Sequence, residues 1–228
     1  MTIDEINVSE VVKAVKAFND IYGEMESALW CLSKAARKDL LKNQPSDIVK
    51  ALVWTVRSWW GVQGVQSSFK EIAAKALVKM QWNPEMFQEN KLISNDAEDF
   101  AHKRVMEFLK LTNSLGSPRQ EFSLVSKVLH WLLPWRISVY DSFVRKSAEI
   151  SESVPPAQAY REILHWQFRY ARQLATVSTE WMGDRDPKSP LRALDKYLWW
   201  KGGGNAGTAA LVKNPWAIVR GLGIEKEC

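Results

Sequence analysis

Hydrophobic residues recur along most of the chain at the three-to-four-residue spacing of an amphipathic helix. Val11, Val15 and Phe18 begin one such pattern, and a second amphipathic segment covers residues 29–40. No stretch shows the strict alternation that a half-buried strand requires. The pattern therefore predicts an all-α fold of about ten helices, arranged as a single domain over residues 1–228.

Prolines, glycines and capping residues mark where these helices begin and end. Ser46 follows Pro45 and is a predicted N-cap, and Gly116 lies in a strong turn signal at residues 115–118. After the first two amphipathic segments, the predicted helices cover residues 47–60, 67–80, 96–113, 122–133, 157–173, 191–200 and 208–220.

The composition is that of a protein with a substantial core and no membrane span. Hydrophobic residues make up 46% of the 228 residues, and no apolar run reaches the roughly 18–20 residues that a bilayer span needs. The polar, acidic N-terminus is unlike a signal peptide, so we expect a cytoplasmic protein. Cys31 and Cys228 are then expected to be reduced. With two cysteines and three widely spaced histidines, we expect no metal and no cofactor.

Charge and aromatic content favour an anionic partner. The chain has a net charge of +5 and twelve tryptophans, several of them beside Arg or Lys. Aromatic rings interleaved with cations suit base stacking next to phosphate contacts. A tryptophan-rich core explains the same composition, so these features alone favour DNA without establishing it.

One segment carries a pattern with chemical meaning. Lys127 lies beside the apolar face of the predicted helix 122–133, and Asp141 follows at the predicted start of the next helix. Partial burial would favour a neutral, nucleophilic amine, and an N-cap carboxylate would stay ionised near free amides. A solvated surface lysine and a simple N-cap explain each residue separately.

The same segment resembles the helix-hairpin-helix DNA glycosylase superfamily. Residues 126–127, Ser-Lys, and 139–142, Val-Tyr-Asp-Ser, match the order of that family's lysine and aspartate. Residues 194–202 are similar to a C-terminal helix of compact bacterial members. The resemblance implies two lobes around a central cleft, with the hairpin and the Lys–Asp segment at about 110–150. The chain departs from the family in having one glycine, Gly116, in its hairpin, and a shorter lysine-to-aspartate spacing.

The resemblance also implies a mechanism. Family members flip a nucleotide out of the duplex, the aspartate stabilises positive charge on the sugar, and the lysine attacks the anomeric carbon to form a Schiff base. Carried over, these roles fall to Asp141 and Lys127 and imply a glycosylase with abasic-site lyase activity. Without attack by Lys127, the product would be an intact abasic site.

Further site residues are predicted from their positions near this pair or after the helix 47–60. The residues expected to form the base pocket or fill the gap in the duplex are Trp59, Trp60, Gln63, Gln66, His130, Trp131 and Tyr140. The residues expected to contact the DNA backbone are Arg57, Arg136, Arg145 and Lys146.

Two substrates remain open. Family members with a lysine usually repair oxidised purines, whereas compact bacterial members in anti-phage defence remove modified cytosines, including glucosylated hydroxymethylcytosine. The alternatives to an enzyme are a non-enzymatic helical DNA-binding module and a helical protein–protein adaptor. The enzyme requires the Lys127 amine and the Asp141 carboxylate to face one cleft. We expect a monomer that binds DNA and no membrane.

Overall fold

The computed structural model describes residues 6–59, 68–88, 96–117, 121–175, 188–203 and 212–228. Within these ranges the chain forms nine α-helices and no strand, which confirms the all-α prediction. The helices are α1 (Val8–Leu41), α2 (Asp47–Trp59), α3 (Phe69–Lys79), α4 (Ala97–Ser114), α5 (Phe122–Leu132), α6 (Ser142–Ser147), α7 (Pro156–Leu174), α8 (Pro190–Lys201) and α9 (Ala217–Gly221). Two 3-10 helices cover Pro84–Phe87 and Glu225–Glu227.

The first helix is longer than its sequence pattern predicts. The two amphipathic segments join into α1, which has 34 residues and is therefore about 50 Å long. No proline interrupts residues 8–41. Gly23 lies inside the helix, and the small helical cost of a glycine is outweighed by the buried face on either side.

Side-chain caps determine several helix boundaries, and the cap at Ser46 is the one that the sequence analysis predicts among the three. The Ser46 hydroxyl accepts a hydrogen bond from the Val49 amide at 3.2 Å, and Asn83 accepts one from the Met86 amide at 3.0 Å. Ser189 caps α8 by accepting from the Arg192 amide at 3.4 Å. At the C-terminal end only the short helix α9 is seen, and residues 208–211 of the longer predicted helix lie outside the described residues.

Most buried hydrophobic side chains belong to one cluster shared by the helices. Helix α5 packs against α1, α2 and α4, while α8 packs against α1, α6 and α7. Helices α5 and α8 thus both pack against α1, and α8 also packs against the short helix α6. None of the described helices is long and apolar enough to cross a membrane.

The cysteines differ from the sequence prediction. Cys31 of α1 and Cys228 form a disulfide, with their Cα atoms 5.0 Å apart. The expectation that both are reduced is therefore corrected, because the C-terminal segment folds back on α1 and joins residues 197 positions apart. Nothing in the local sequence around either cysteine indicates this contact.

Candidate functional site: a lysine–aspartate pair beside a pocket

The two residues singled out in the sequence form an ion pair. Lys127 lies in α5, Asp141 is the N-cap of α6, and Lys127 Nζ is 3.2 Å from Asp141 Oδ2. Their side chains are only 13% and 12% exposed. The structure therefore brings the predicted pair together at a largely desolvated position, where electrostatic interactions are stronger than in water.

Each oxygen of the Asp141 carboxylate has its own partner. Oδ1 accepts a hydrogen bond from the Val144 amide at 2.9 Å, which is the N-cap interaction that the sequence predicts. Oδ2 faces the Lys127 amine. The helix start thus fixes the orientation of the carboxylate and leaves one oxygen for the ion pair.

A buried serine that the sequence analysis did not select holds the two segments together. Ser126 is fully buried, and its hydroxyl accepts a hydrogen bond from the Tyr140 amide at 3.0 Å. Ser126 directly precedes Lys127, and Tyr140 directly precedes Asp141. This contact therefore fixes the lysine and the aspartate relative to each other. The only signal for this contact in the sequence is a serine among the apolar residues of α5.

Asp141 also lies in the wall of a pocket of about 850 Å³. The wall contains aromatic side chains from Tyr140 and Phe143 and the exposed amine of Lys146. Gly202, at the end of α8, completes part of it. A Cβ atom at Gly202 would lie 2.6 Å from the Phe143 carbonyl oxygen, so the close approach of α8 to α6 requires glycine there.

Arg145 supports this wall from within the protein. Its guanidinium donates to the Tyr140 hydroxyl at 2.8 Å, to the Val154 carbonyl at 3.3 Å and to the Ser151 carbonyl. We predicted that Arg145 contacts the DNA backbone, but three protein acceptors already orient its guanidinium. In this conformation Arg145 positions the loop after α6 against Tyr140.

A cluster of buried charged residues lies between α8 and α1. We call it the α8 charge cluster, and its members are Glu26, Arg192, Asp195 and Lys196. Arg192 Nε donates to Glu26 Oε2 at 3.0 Å, and the guanidinium also contacts Glu26 Oε1 and Asp195 Oδ2. Lys196 Nζ is 3.5 Å from Glu26 Oε2. All four residues are nearly inaccessible to solvent. Two acids and two bases thus compensate each other's charge in the interior.

Asp195 connects this cluster electrostatically to the lysine–aspartate pair. Burial raises the pKa of Asp195 from 3.8 to about 6, while the Arg192 guanidinium opposes the shift. The Asp141 carboxylate raises this pKa further and the Lys127 amine lowers it. The protonation state of Asp195 therefore depends on the charges of the pair. The sequence analysis placed Asp195 in a family-like segment but did not assign it a role.

His130 and Trp131 lie in the core, which differs from their predicted role in base recognition. His130 is fully buried on α5, and its Nδ1 lies 2.6 Å from the Ile137 carbonyl. Burial, helped by the nearby positive charge of Arg192, lowers the pKa of His130 to about 3. Trp131 is 2% exposed and packs against Arg192, whose guanidinium carbon is 5.1 Å from its ring. Both side chains point into the α5 packing layer, so neither reaches a base in this conformation.

Tyr140 is the one predicted pocket residue that the described structure places in the pocket wall. Trp59 is half-buried at the end of α2 and packs against the core. Trp60, Gln63 and Gln66 lie outside the described residues.

The other predicted backbone contacts have different surroundings. Arg57 lies over the Trp54 ring at 4.7 Å, and Arg136 lies over the Phe100 ring at 5.3 Å. Lys146 is exposed in the pocket wall, which also contains Glu149 and Glu152. Its contact with the DNA backbone stays a prediction. The described residues contain no group of three or more His, Cys, Asp or Glu side chains that is arranged to hold a metal.

Comparisons of the chain with protein-family models, with curated proteins and with solved structures give no match. The interpretation of the site therefore depends on its geometry and chemistry.

Proposed function

We propose that the protein is a DNA glycosylase that excises a modified base, with Lys127 as the nucleophile and Asp141 as the residue that stabilises the sugar cation. The observation that carries this proposal is the 3.2 Å ion pair between the two side chains, formed beside a pocket in whose wall Asp141 lies. A surface lysine and an isolated N-cap would not need to meet in this way.

The pair has the chemical groups that the reaction needs. The Lys127 amine must first lose a proton, and its lone pair then attacks C1′ of the nucleotide. The glycosidic C–N bond breaks, its electron pair leaves with the base, and the amine becomes covalently bound to the sugar. The Asp141 carboxylate opposes the positive charge that develops on the sugar as that bond breaks. A Schiff base then forms when the sugar ring opens, and β-elimination from it would cut the strand.

In this proposal the flipped nucleotide enters the neighbouring pocket, whose lining includes Asp141 but not Lys127, so the Lys127 amine acts from behind the Asp141 carboxylate. Its volume of about 850 Å³ is within the usual range for small-molecule sites. Phe143 provides a half-buried aromatic side chain, Tyr140 presents only 6% of its surface, and Lys146 offers a cation in a lining that also contains Glu149 and Glu152. Aromatic side chains and a cation are groups that a base and its phosphate require. The volume suits a large substrate such as glucosylated hydroxymethylcytosine as well as an oxidised purine, so both belong in the assay.

The finer predictions belong to the same proposal. They comprise a helix-hairpin-helix glycosylase-like fold with two lobes around a central cleft, a monomeric state, a cytoplasmic location and roles in either DNA repair or phage defence. A disulfide is unusual in the cytosol, so the thiol state of Cys31 and Cys228 in cells bears directly on the location.

The proposal is tested by a base-excision assay on two DNAs. One is a duplex with oxidised guanine, and the other is phage DNA with glucosylated hydroxymethylcytosine. Wild type is expected to release the base from one of them. Asp141→Asn should lose at least about a hundredfold in rate, in line with the loss of one charge-stabilising group. Asparagine is also a good N-cap, so this variant removes the charge while keeping the start of α6.

Lys127→Arg is the matched variant for the nucleophile. Arginine keeps the positive charge and can pair with Asp141, but it stays protonated and cannot form a Schiff base. We expect this variant to remain folded and to lose covalent chemistry. Equal excision by wild type and both variants would contradict the proposed roles. Tight DNA binding by wild type without excision of either base would favour the non-enzymatic DNA-binding module.

A further inference from the structure

A ladder of aromatic rings and arginines lies between α1 and the 3-10 helix Pro84–Phe87. The Arg104 guanidinium is 4.8 Å from the Trp82 ring, and Trp82 stacks on Phe87 with centroids 5.4 Å apart and an interplanar angle of 13°. Arg37 is 5.7 Å from the Phe87 ring and 4.3 Å from the Trp30 ring. The aromatic and cationic residues that the sequence interleaves thus meet at one place.

Hydrogen bonds hold the residues of this ladder in place. Arg104 donates to the Gln81 carbonyl at 2.6 Å, and the Trp82 indole donates to the Leu77 carbonyl at 2.6 Å. The Arg37 guanidinium also donates to the Trp131 carbonyl at 3.4 Å. These contacts join the ladder to α1, α3, α4 and α5.

The ladder forms one wall of an open groove of about 400 Å³, which we call the α1 groove. Its described lining contains three cations and no acidic residue: Lys34, Arg37, Lys38, Leu41, Pro84 and Phe87. Lys38 is exposed, Lys34 is half-buried and donates to the Cys228 carbonyl oxygen at 3.5 Å, and Arg37 is buried at the base. The two lysine amines therefore lie along one side of α1, and Arg37 adds positive charge beneath them.

The side chains of the groove favour contact with a phosphate backbone over contact with a base. Phe87 is already stacked on Trp82 and contacted by Arg37, so it shapes the wall and does not offer a free platform to a base. Lysine amines, by contrast, bind phosphates as point charges. Contacts of this kind position DNA without reading its sequence.

We infer that the α1 groove is a second DNA-binding surface, which holds the sugar–phosphate backbone through Lys34 and Lys38, above the buried positive charge of Arg37. This inference shares its partner with the proposed function but does not depend on catalysis. It assigns the basic character of the chain to a surface that the lysine–aspartate pair and its pocket do not use.

The test is a binding titration with an unmodified, fluorescein-labelled duplex, measured by anisotropy at several salt concentrations. The test variant is Lys34→Gln/Lys38→Gln. The matched control is Lys13→Gln/Lys16→Gln, which removes two exposed lysines from the same helix α1. Each lost phosphate contact reduces the slope of log K against log salt by about 0.9. The test variant should therefore lose about 2 from the slope and bind about tenfold or more weakly at about 0.1 M salt.

The control is expected to bind like wild type. Equal weakening in both double variants would show a general effect of net charge and would overturn the inference, as would unchanged binding by the test variant or no binding by wild type. Competition with polyglutamate tests an acidic protein as the other partner. If the test variant loses binding to polyglutamate but keeps its binding to DNA, the groove is assigned to an acidic protein and the DNA assignment is overturned. Excision of a modified base with an unchanged salt slope would overturn this inference and leave the proposed function standing.

Discussion

Replacing Asp195 with asparagine is expected to change how stability depends on pH. Asp195 is buried in the α8 charge cluster, contacts Arg192 and has a pKa raised to about 6. Asparagine has nearly the same shape and can still accept one hydrogen bond, but it does not titrate. The variant therefore removes one protonation equilibrium from the interior and leaves Glu26 beside Arg192.

The expected magnitude follows from the difference between the ordinary and the folded pKa of Asp195, 3.8 and about 6. Because the folded state binds this proton more tightly, the group stabilises the fold at low pH, and this stabilisation is lost as the pH rises through 6. At about 1.4 kcal/mol per pH unit, the whole change is about 3 kcal/mol. The free energy of unfolding of Asp195→Asn should therefore rise relative to wild type by about 2.4 kcal/mol between about pH 4 and about pH 7, which is most of the whole change.

Urea unfolding at a series of pH values measures this difference directly. Asp20→Asn is the matched control, because Asp20 is exposed on α1 and its replacement should leave the pH dependence unchanged. A constant difference between Asp195→Asn and wild type over this pH range would refute the reasoning, since Asp195 would then have the same pKa in the folded and unfolded states. The test depends on how the difference in the free energy of unfolding changes with pH, so a constant loss of stability caused by the substitution does not affect it.

Three further predictions concern the core, the wall of the pocket and the disulfide. Burial lowers the pKa of His130 to about 3, so the stability that the neutral imidazole contributes above pH 6.5 is lost as the pH falls. Between about pH 7 and about pH 4.5, the free energy of unfolding of His130→Asn should therefore fall by about 3 kcal/mol less than that of wild type, as measured by urea unfolding. Gly202→Ala should destabilise the fold by about 1–3 kcal/mol, because its Cβ would meet the main chain of α6; Gly221→Ala, in open space, should remain near wild type in thermal unfolding. Reduction of the Cys31–Cys228 disulfide should lower the free energy of unfolding by about 2–5 kcal/mol, and no change on reduction would contradict the pairing.

Local signals explain which parts of the fold can be predicted from the sequence. The helical spacing of apolar residues predicts the all-α class, and Ser46, Asn83 and Asp141 mark helix starts because each cap acts within three residues of itself. The meeting of Lys127 with Asp141 is also partly local, because a short segment joins α5 to α6.

Contacts between distant segments explain what the sequence does not predict. Arg192 pairs with Glu26, 166 positions away, and Cys31 pairs with Cys228 across nearly the whole chain. His130 lies one helical turn after Lys127, but its side chain is fully buried and its Nδ1 is 2.6 Å from the Ile137 carbonyl. The depth of a side chain in the core depends on packing by other segments, which sequence proximity to the pair does not predict.

The most direct test of the central claim is the identification of the residue that becomes bound to DNA. Wild type is incubated with the cleavable modified DNA and borohydride, digested, and analysed by peptide mass spectrometry. The account predicts a reduced sugar adduct on Lys127, absent from Lys127→Arg and strongly diminished in Asp141→Asn. Base release with an adduct on another amine, or with none, would contradict the role of Lys127 as the nucleophile.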